Sequence, residues 1–162
     1  MLEKYCVKED PSGGLKVVRT IVWRLLSNLS KYSHSQKIIH SSISPIVVSA
    51  IETLTRNKAD GGVINACTMA LNNMIFVESF EFNEIPDQDI FKALADNFSS
   101  DNENTLVALL NILCRLITKG PTFKEYLKKS VYNDMKTRLD TLKYHKNITV
   151  QKMVEDVYFL LG

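Results

Sequence analysis

The sequence predicts an all-α fold built as a stack of helical repeats, on three observations. Apolar residues recur every three or four positions along several long segments, as they do on one face of a helix. No stretch alternates convincingly with the two-residue period of a half-buried strand. The three longest apolar segments can be superposed on their polar interruptions, Asn28 in RLLSNL, Asn72 in MALNNM and Arg115 in ILCRLI, at offsets of 44 residues (28 to 72) and 43 residues (72 to 115). That period falls in the window of roughly 40–47 residues of HEAT and armadillo units, and about three such units are the minimum for stability. The expected architecture is therefore an armadillo- or HEAT-like solenoid of about three repeats with a C-terminal capping helix. An ordinary helical bundle with coincident spacings is the competing architecture.

Residues 1–14 are charged and end in Pro11, Ser12, Gly13 and Gly14, which reads as a flexible leader. From Lys16 to Leu29, Val18, Ile21, Leu25 and Leu29 keep to one face, flanked by Val17, Val22 and Leu26. A helix buried over most of its surface is expected there. Helical segments over Ser35–His40 and Ser44–Thr55 precede a turn signal at Lys58-Ala59-Asp60-Gly61-Gly62. Gly62–Val77 repeats the apolar helix and breaks at Glu78–Asn83, after which Pro86 and Asp87 open a helix running through Ala95. Asn102–Thr118 is the third long apolar helix, stopped by Gly120 and Pro121. Phe123–Ser130, Tyr132–Leu142 and Val150–Leu161 are helical by period, the last serving as the cap.

At 162 residues and 45% hydrophobic, the chain supports one substantial core, so a single domain over 15–162 is expected. Twenty Lys and Arg against 18 Asp and Glu leave a formal charge of +2, which offers no bulk attraction to nucleic acid or an anionic membrane. Cys6, Cys67 and Cys114 are odd in number and far apart, with no CxxC, which fits a reducing compartment. Cys67 and Cys114 read as small buried apolar residues. No apolar run approaches the roughly 20 residues of a membrane span, and the first residues lack the apolar region of a signal peptide. A cytoplasmic or nuclear location is expected.

Phosphate loops, dinucleotide folds, zincins and hydrolase elbows lack their sequence signals, since there is no GxxxxGK[ST], GxGxxG, HExxH or GxSxG. His34 and His40 lie six residues apart with no further ligand at metal spacing. Glu78, Glu81 and Glu84 sit among Phe76, Phe80 and Phe82 in a connecting loop, without the pairing that acid–base work needs. The basic run of Lys124, Lys128, Lys129, Lys136 and Arg138 is interrupted by Glu125, Asp134 and Asp140, as on a solvated helical face. Neither a catalytic residue, a metal nor a cofactor is expected.

Arg24 stands out in WRLLSNLSKYSHSQKI because it interrupts a run that otherwise reads as buried. With Asn28 one turn on, Thr20 before and Lys31 after, it forms a polar seam beside the apolar face. On the concave side of a solenoid such a seam is suited to a peptide: Asn amides bond the ligand backbone and Arg takes a carboxylate. The alternative is an internal ion pair joining two units to each other, to another subunit or to a preceding half of the domain.

WRLLSNLSKYSHSQKI, MALNNM, TLVALLNILCRLI and the closing KMVEDVYFLL together resemble the PUL domain, the armadillo-like C-terminal module of phospholipase-activating protein and its fungal relatives. The resemblance covers residues 16–161 and corresponds to the C-terminal half of that domain. It implies a non-enzymatic adaptor in ubiquitin-dependent protein turnover, whose groove binds the acidic C-terminal tail of the AAA ATPase valosin-containing protein. Arg24 falls on the family's groove arginine and Asn72 on the asparagine of its ALNY-like element. A second family arginine falls near Ala108, which carries no charge, so tail binding here is weakened, lost or shifted toward Arg115. The candidate groove is thus Arg24, Asn28, Asn72, Asn111 and Arg115, and the expected partner an extended acidic peptide.

Overall fold

A computed structural model describes residues 14–32, 43–56, 60–76 and 87–162, and every regular element among them is helical. The chain divides into two compact units, residues 1–81 and 82–162. Residues 1–13 of the expected leader, the Ser35–His40 segment, the break at Glu78–Asn83, both histidines of that reading and Cys6 lie outside the described residues, and Gly14, the last residue of that leader, opens the first helix.

The first unit contains α1 (Gly14–Leu29), α2 (Ile43–Arg56) and α3 (Gly61–Ile75). Helix α3 packs on both others and is enclosed nearly all round, through Val63, Ile64, Ala66, Cys67, Ala70, Leu71, Met74 and Ile75. An all-round apolar sequence is what such a central helix requires. Its start is fixed by Asp60, whose Oδ1 accepts hydrogen bonds from the backbone N–H groups of Gly62 and Val63, both at 3.2 Å. The helix expected from Gly62 begins one residue earlier, so that Gly61, read in the sequence as part of the turn, is its first residue under that cap. Lys16 of α1 reaches the same carboxylate at 3.2 Å.

Helix α1 is turned the opposite way from the sequence expectation. Trp23 is 0% exposed, whereas Val18, Ile21, Leu25 and Leu29, expected to be buried, are 40, 58, 56 and 36% exposed. Two stripes compete on this helix. One is the aliphatic ladder, and the other runs through Arg19, Trp23, Leu26 and Ser30 at the same three-to-four spacing; the second, buried one faces inward. Enclosing the indole removes the largest apolar side chain of α1 from water, while Ser27 and Ser30 are small and self-satisfying. Ser30 Oγ donates to the Ser27 carbonyl at 2.9 Å. Asn73 Nδ2 of α3 donates to both the carbonyl and the hydroxyl oxygen of Ser27 at 3.0 Å, locking α1 to α3 in this rotation.

The second unit contains α4 (Asp87–Asn97), α5 (Glu103–Lys119), α6 (Pro121–Tyr126), a π-helical turn over Leu127–Val131, α7 (Tyr132–Leu142) and α8 (Ile148–Leu161). Helix α5 packs chiefly on α8 and buries Leu106, Leu109, Leu110, Ile112, Leu113, Leu116 and Ile117. Asn102 caps it, accepting from the Thr105 N–H at 3.1 Å, and Gly120 ends it. Glycine is required there because a Cβ would overlap the Phe123 ring. Asn147 serves two helices: its Oδ1 caps α8 through the Thr149 N–H at 2.8 Å, and its Nδ2 donates to Glu103 Oε2 at 2.7 Å. Tyr158 closes the other end of α8, its hydroxyl donating to Asp140 of α7 at 2.8 Å under a Lys143 ammonium 4.2 Å from the ring centroid. The segments read as Phe123–Ser130 and Tyr132–Leu142 form one continuous helical stretch, whose π-helical turn the sequence reading did not foresee.

Candidate functional site

Arg24 and Asn28 lie one turn apart on the outward side of α1, both exposed, in register with the aliphatic ladder rather than beside a buried face. Arg24 forms no ion pair with any carboxylate among the described residues. The buried arginine of α1 is Arg19, which spends its stem on the inward stripe. On this face a guanidinium and an amide are therefore framed by Ile21, Leu25 and Leu29.

Asn72 is placed differently from the expectation of an open groove residue. It is half-buried on α3 and its Oδ1 is enclosed by protein, while the neighbouring Asn73 makes the contact to α1. Among the described residues no hydrogen bond joins Asn72 to Arg24 or Asn28. Asn111 and Arg115 form a separate stripe on α5, four residues apart and both half-buried, in the second unit. Ala108, one turn before Asn111 on the same stripe, is buried. A long charged side chain there would have to displace core atoms.

The sequence reading missed the exposure of Ile21 and Leu25, the burial of Arg19 and the bridging role of Asn73. One signal for the first two was present: Trp23 lies on the 19, 23, 26, 30 stripe, not on the aliphatic one.

Elsewhere the titratable groups act as fasteners. The Glu103 carboxyl is held below its usual range, first by the hydrogen bond from Asn147 and then by Lys146, whose Nζ lies 3.4 Å away. Asp140 is lowered by Lys143 at 2.6 Å and by the Tyr158 hydroxyl. Burial, helped by the Asp156 carboxylate, pushes the half-buried Cys114 thiol up to about 11, the opposite of an activated nucleophile. Cys67 is fully buried and its Sγ lies 3.5 Å from the Ala50 carbonyl oxygen. A cleft of about 390 Å³ in the second unit is lined by Phe91, Lys92, Asp96, Tyr126, Asp134 and Met135 among others. Arg138 lies 3.9 Å from Asp96 and 3.5 Å from Asp134, and with Lys92 it balances the charge of the two carboxylates. Among the described residues no three His, Cys, Asp or Glu side chains gather as a metal site needs, and no single helix is long and apolar enough to cross a membrane.

Compared with known proteins, the chain matches no family model and no curated protein.

Proposed function

We propose that the chain is a non-enzymatic protein-binding module, an armadillo-like helical stack of the PUL type, whose partner is an acidic peptide held on the outward face of α1. The observation that carries this reading is the exposure of Arg24 between Ile21, Leu25 and Asn28. Contiguous exposed apolar side chains mark interaction surfaces. A guanidinium set among them, with no carboxylate of its own among the described residues, has its fork of donors ready for one from outside. Had Arg24 been an internal joint, it would be buried against an Asp or Glu.

The packing of α1 on α3, the long helices of consecutive expected repeats, and of α8, the expected cap, on α5 supports the stacked-repeat reading. The resemblance to PUL domains makes the C-terminal tail of valosin-containing protein the first partner to try. Calorimetric titration of that tail peptide against the parent and Arg24→Ala tests the reading. The expected result is binding that falls at least tenfold in the variant, about 1.4 kcal/mol, at an unchanged melting temperature. Absence of binding by the parent, or a variant that melts markedly lower, overturns it.

A further inference from the structure

Val18, Ile21, Leu25 and Leu29 follow one another at intervals of three, four and four residues along the outward face of α1. At 1.5 Å per residue they span roughly 16 Å, three turns of helix. Val17 widens the ladder at its start and the exposed Tyr32 lies beyond its end. This is the spacing by which one helix meets another, yet α1 already meets α3 through its opposite stripe. One helix thus carries two faces of helix-packing type, and among the described residues the outward one stays exposed.

The charges on the outward face are one-sided. Gly14–Leu29 contains no Asp or Glu. Its outward cations are Arg24 and, just past the helix, Lys31, whereas Lys16 is engaged with Asp60. An occupant with an apolar ridge and an acidic flank complements this face.

Backbone chemistry decides the conformation of that occupant. An extended chain brings amides and carbonyls that need partners when covered. Along the ladder the polar side chains are Arg24, Asn28 and Thr20, and the Thr20 hydroxyl is spent on the Lys16 carbonyl at 3.0 Å. A helix satisfies its own backbone and needs only the ridge and the flank. An anionic lipid surface shares the apolar-plus-anionic chemistry, but here it fits less well. Trp23, the side chain suited to a lipid interface, points inward, and the Asn28 amide interrupts the surface that would enter hydrocarbon.

We infer that the outward face of α1 receives an amphipathic helix of a partner protein. Its apolar side chains at i, i+3 or i+4, and i+7 sit among Ile21, Leu25 and Leu29, and its acidic flank meets Arg24 and Lys31. The inference rests on the reading of α1 as the docking face and adds the partner's conformation, replacing the extended peptide expected from the sequence.

The test uses a synthetic peptide of about five helical turns with leucines at i, i+3, i+7 and i+11 and glutamates along one flank. A scrambled peptide of the same composition, a lysine-flanked version, and vesicles of phosphatidylserine with phosphatidylcholine run beside it. The expected result is that the glutamate peptide binds the full chain at least tenfold more tightly than the scramble and gains helical circular dichroism on binding. Leu25→Glu should lose at least tenfold. Arg24→Glu should lose as much and recover it with the lysine-flanked peptide, both variants melting as the parent does.

Equal binding of the scramble, a Leu25→Glu variant that binds as well as the parent, or preference for the vesicles overturns the helical occupant. If the tail peptide of the preceding section still depends on Arg24 when the helical peptide fails, the docking face stands and the helix falls. Failure of both peptides removes the two together.

Discussion

Helices α1 and α5 carry nearly the same pattern, sixteen and seventeen residues of aliphatics interrupted by an Arg and an Asn four apart, yet they are turned in opposite senses. In α5 the leucine stripe is the buried one, and Asn111 and Arg115 sit half-exposed at its margin. In α1 the aliphatic stripe faces out and an aromatic-centred stripe faces in. An amphipathic pattern identifies faces; which of two faces turns inward depends on the largest side chain and on the donors waiting across the interface. Here Trp23 and the Asn73–Ser27 bonds outweigh four aliphatic residues.

The strongest way to break this comparison is to truncate equivalent leucines. Leu113→Ala in α5 should cost about 2–5 kcal/mol and Trp23→Ala in α1 about 3–5 kcal/mol. Leu25→Ala should stay within about ±0.5 kcal/mol. Chemical denaturation of the three variants checks this, and a Leu25→Ala loss matching that of Leu113→Ala would mean that α1 is turned inward after all.

A smaller effect sharpens the same point. Asn73→Ala removes the donor to the Ser27 hydroxyl and one of the two side-chain donors to its carbonyl, which keeps Ser30 Oγ, and should cost about 0.5–1.5 kcal/mol. Asn28→Ala, on the exposed face, should cost almost nothing to the fold. Similar melting temperatures for the two variants would remove the lock between α1 and α3.

The smallest effect concerns pH and the second unit. Glu103 and Asp140 have folded-state pKa values lowered from 4.5 and 3.8, so both bind fewer protons folded than unfolded in that range. Their stabilisation is present above those ordinary values and is lost as pH falls through the lowered ones. Denaturation midpoints should therefore be flat from neutrality to about pH 5 and decline below it. Glu103→Gln together with Asp140→Asn should flatten that decline, and an unaltered acid limb would show that these contacts do not contribute.

Much of the helical plan was legible in the sequence because its punctuation is local. Asn102 before an apolar run and Gly120 with Pro121 after it mark the limits of α5 through groups that act within one turn. The apolar period over Gly62–Val77 likewise foretold a long helix, found over Gly61–Ile75. The candidate site was legible only in part. Arg24 and Asn28 could be paired from their spacing, but their surroundings depend on the rotation of α1, a property of the packed unit. The burial of Asn72 Oδ1 and Ala108, and the choice of Asn73 over Asn72 as the bridge, arise from contacts between segments distant in the chain, which no local period encodes.

The π-helical turn over Leu127–Val131 sets a phase. Phe123, Leu127, Met135 and Leu139 are all buried along one unbroken helical stretch. In a plain α-helix the sixteen residues from Phe123 to Leu139 would drift by about 160° from a common direction. The additional residue held in the π-turn takes back about 100° of that, so both halves of the stretch address the same core. Lys128, Lys129 and Ser130 are exposed, and by composition this is where a change of chain length looks harmless. That is half true: deleting one residue there would leave fifteen steps of plain α-helix and the same drift of about 60°, so Met135, Leu139 and Leu142 would still face the interior. Inserting a further residue would swing them roughly a quarter-turn away, so the turn tolerates a loss and not a gain.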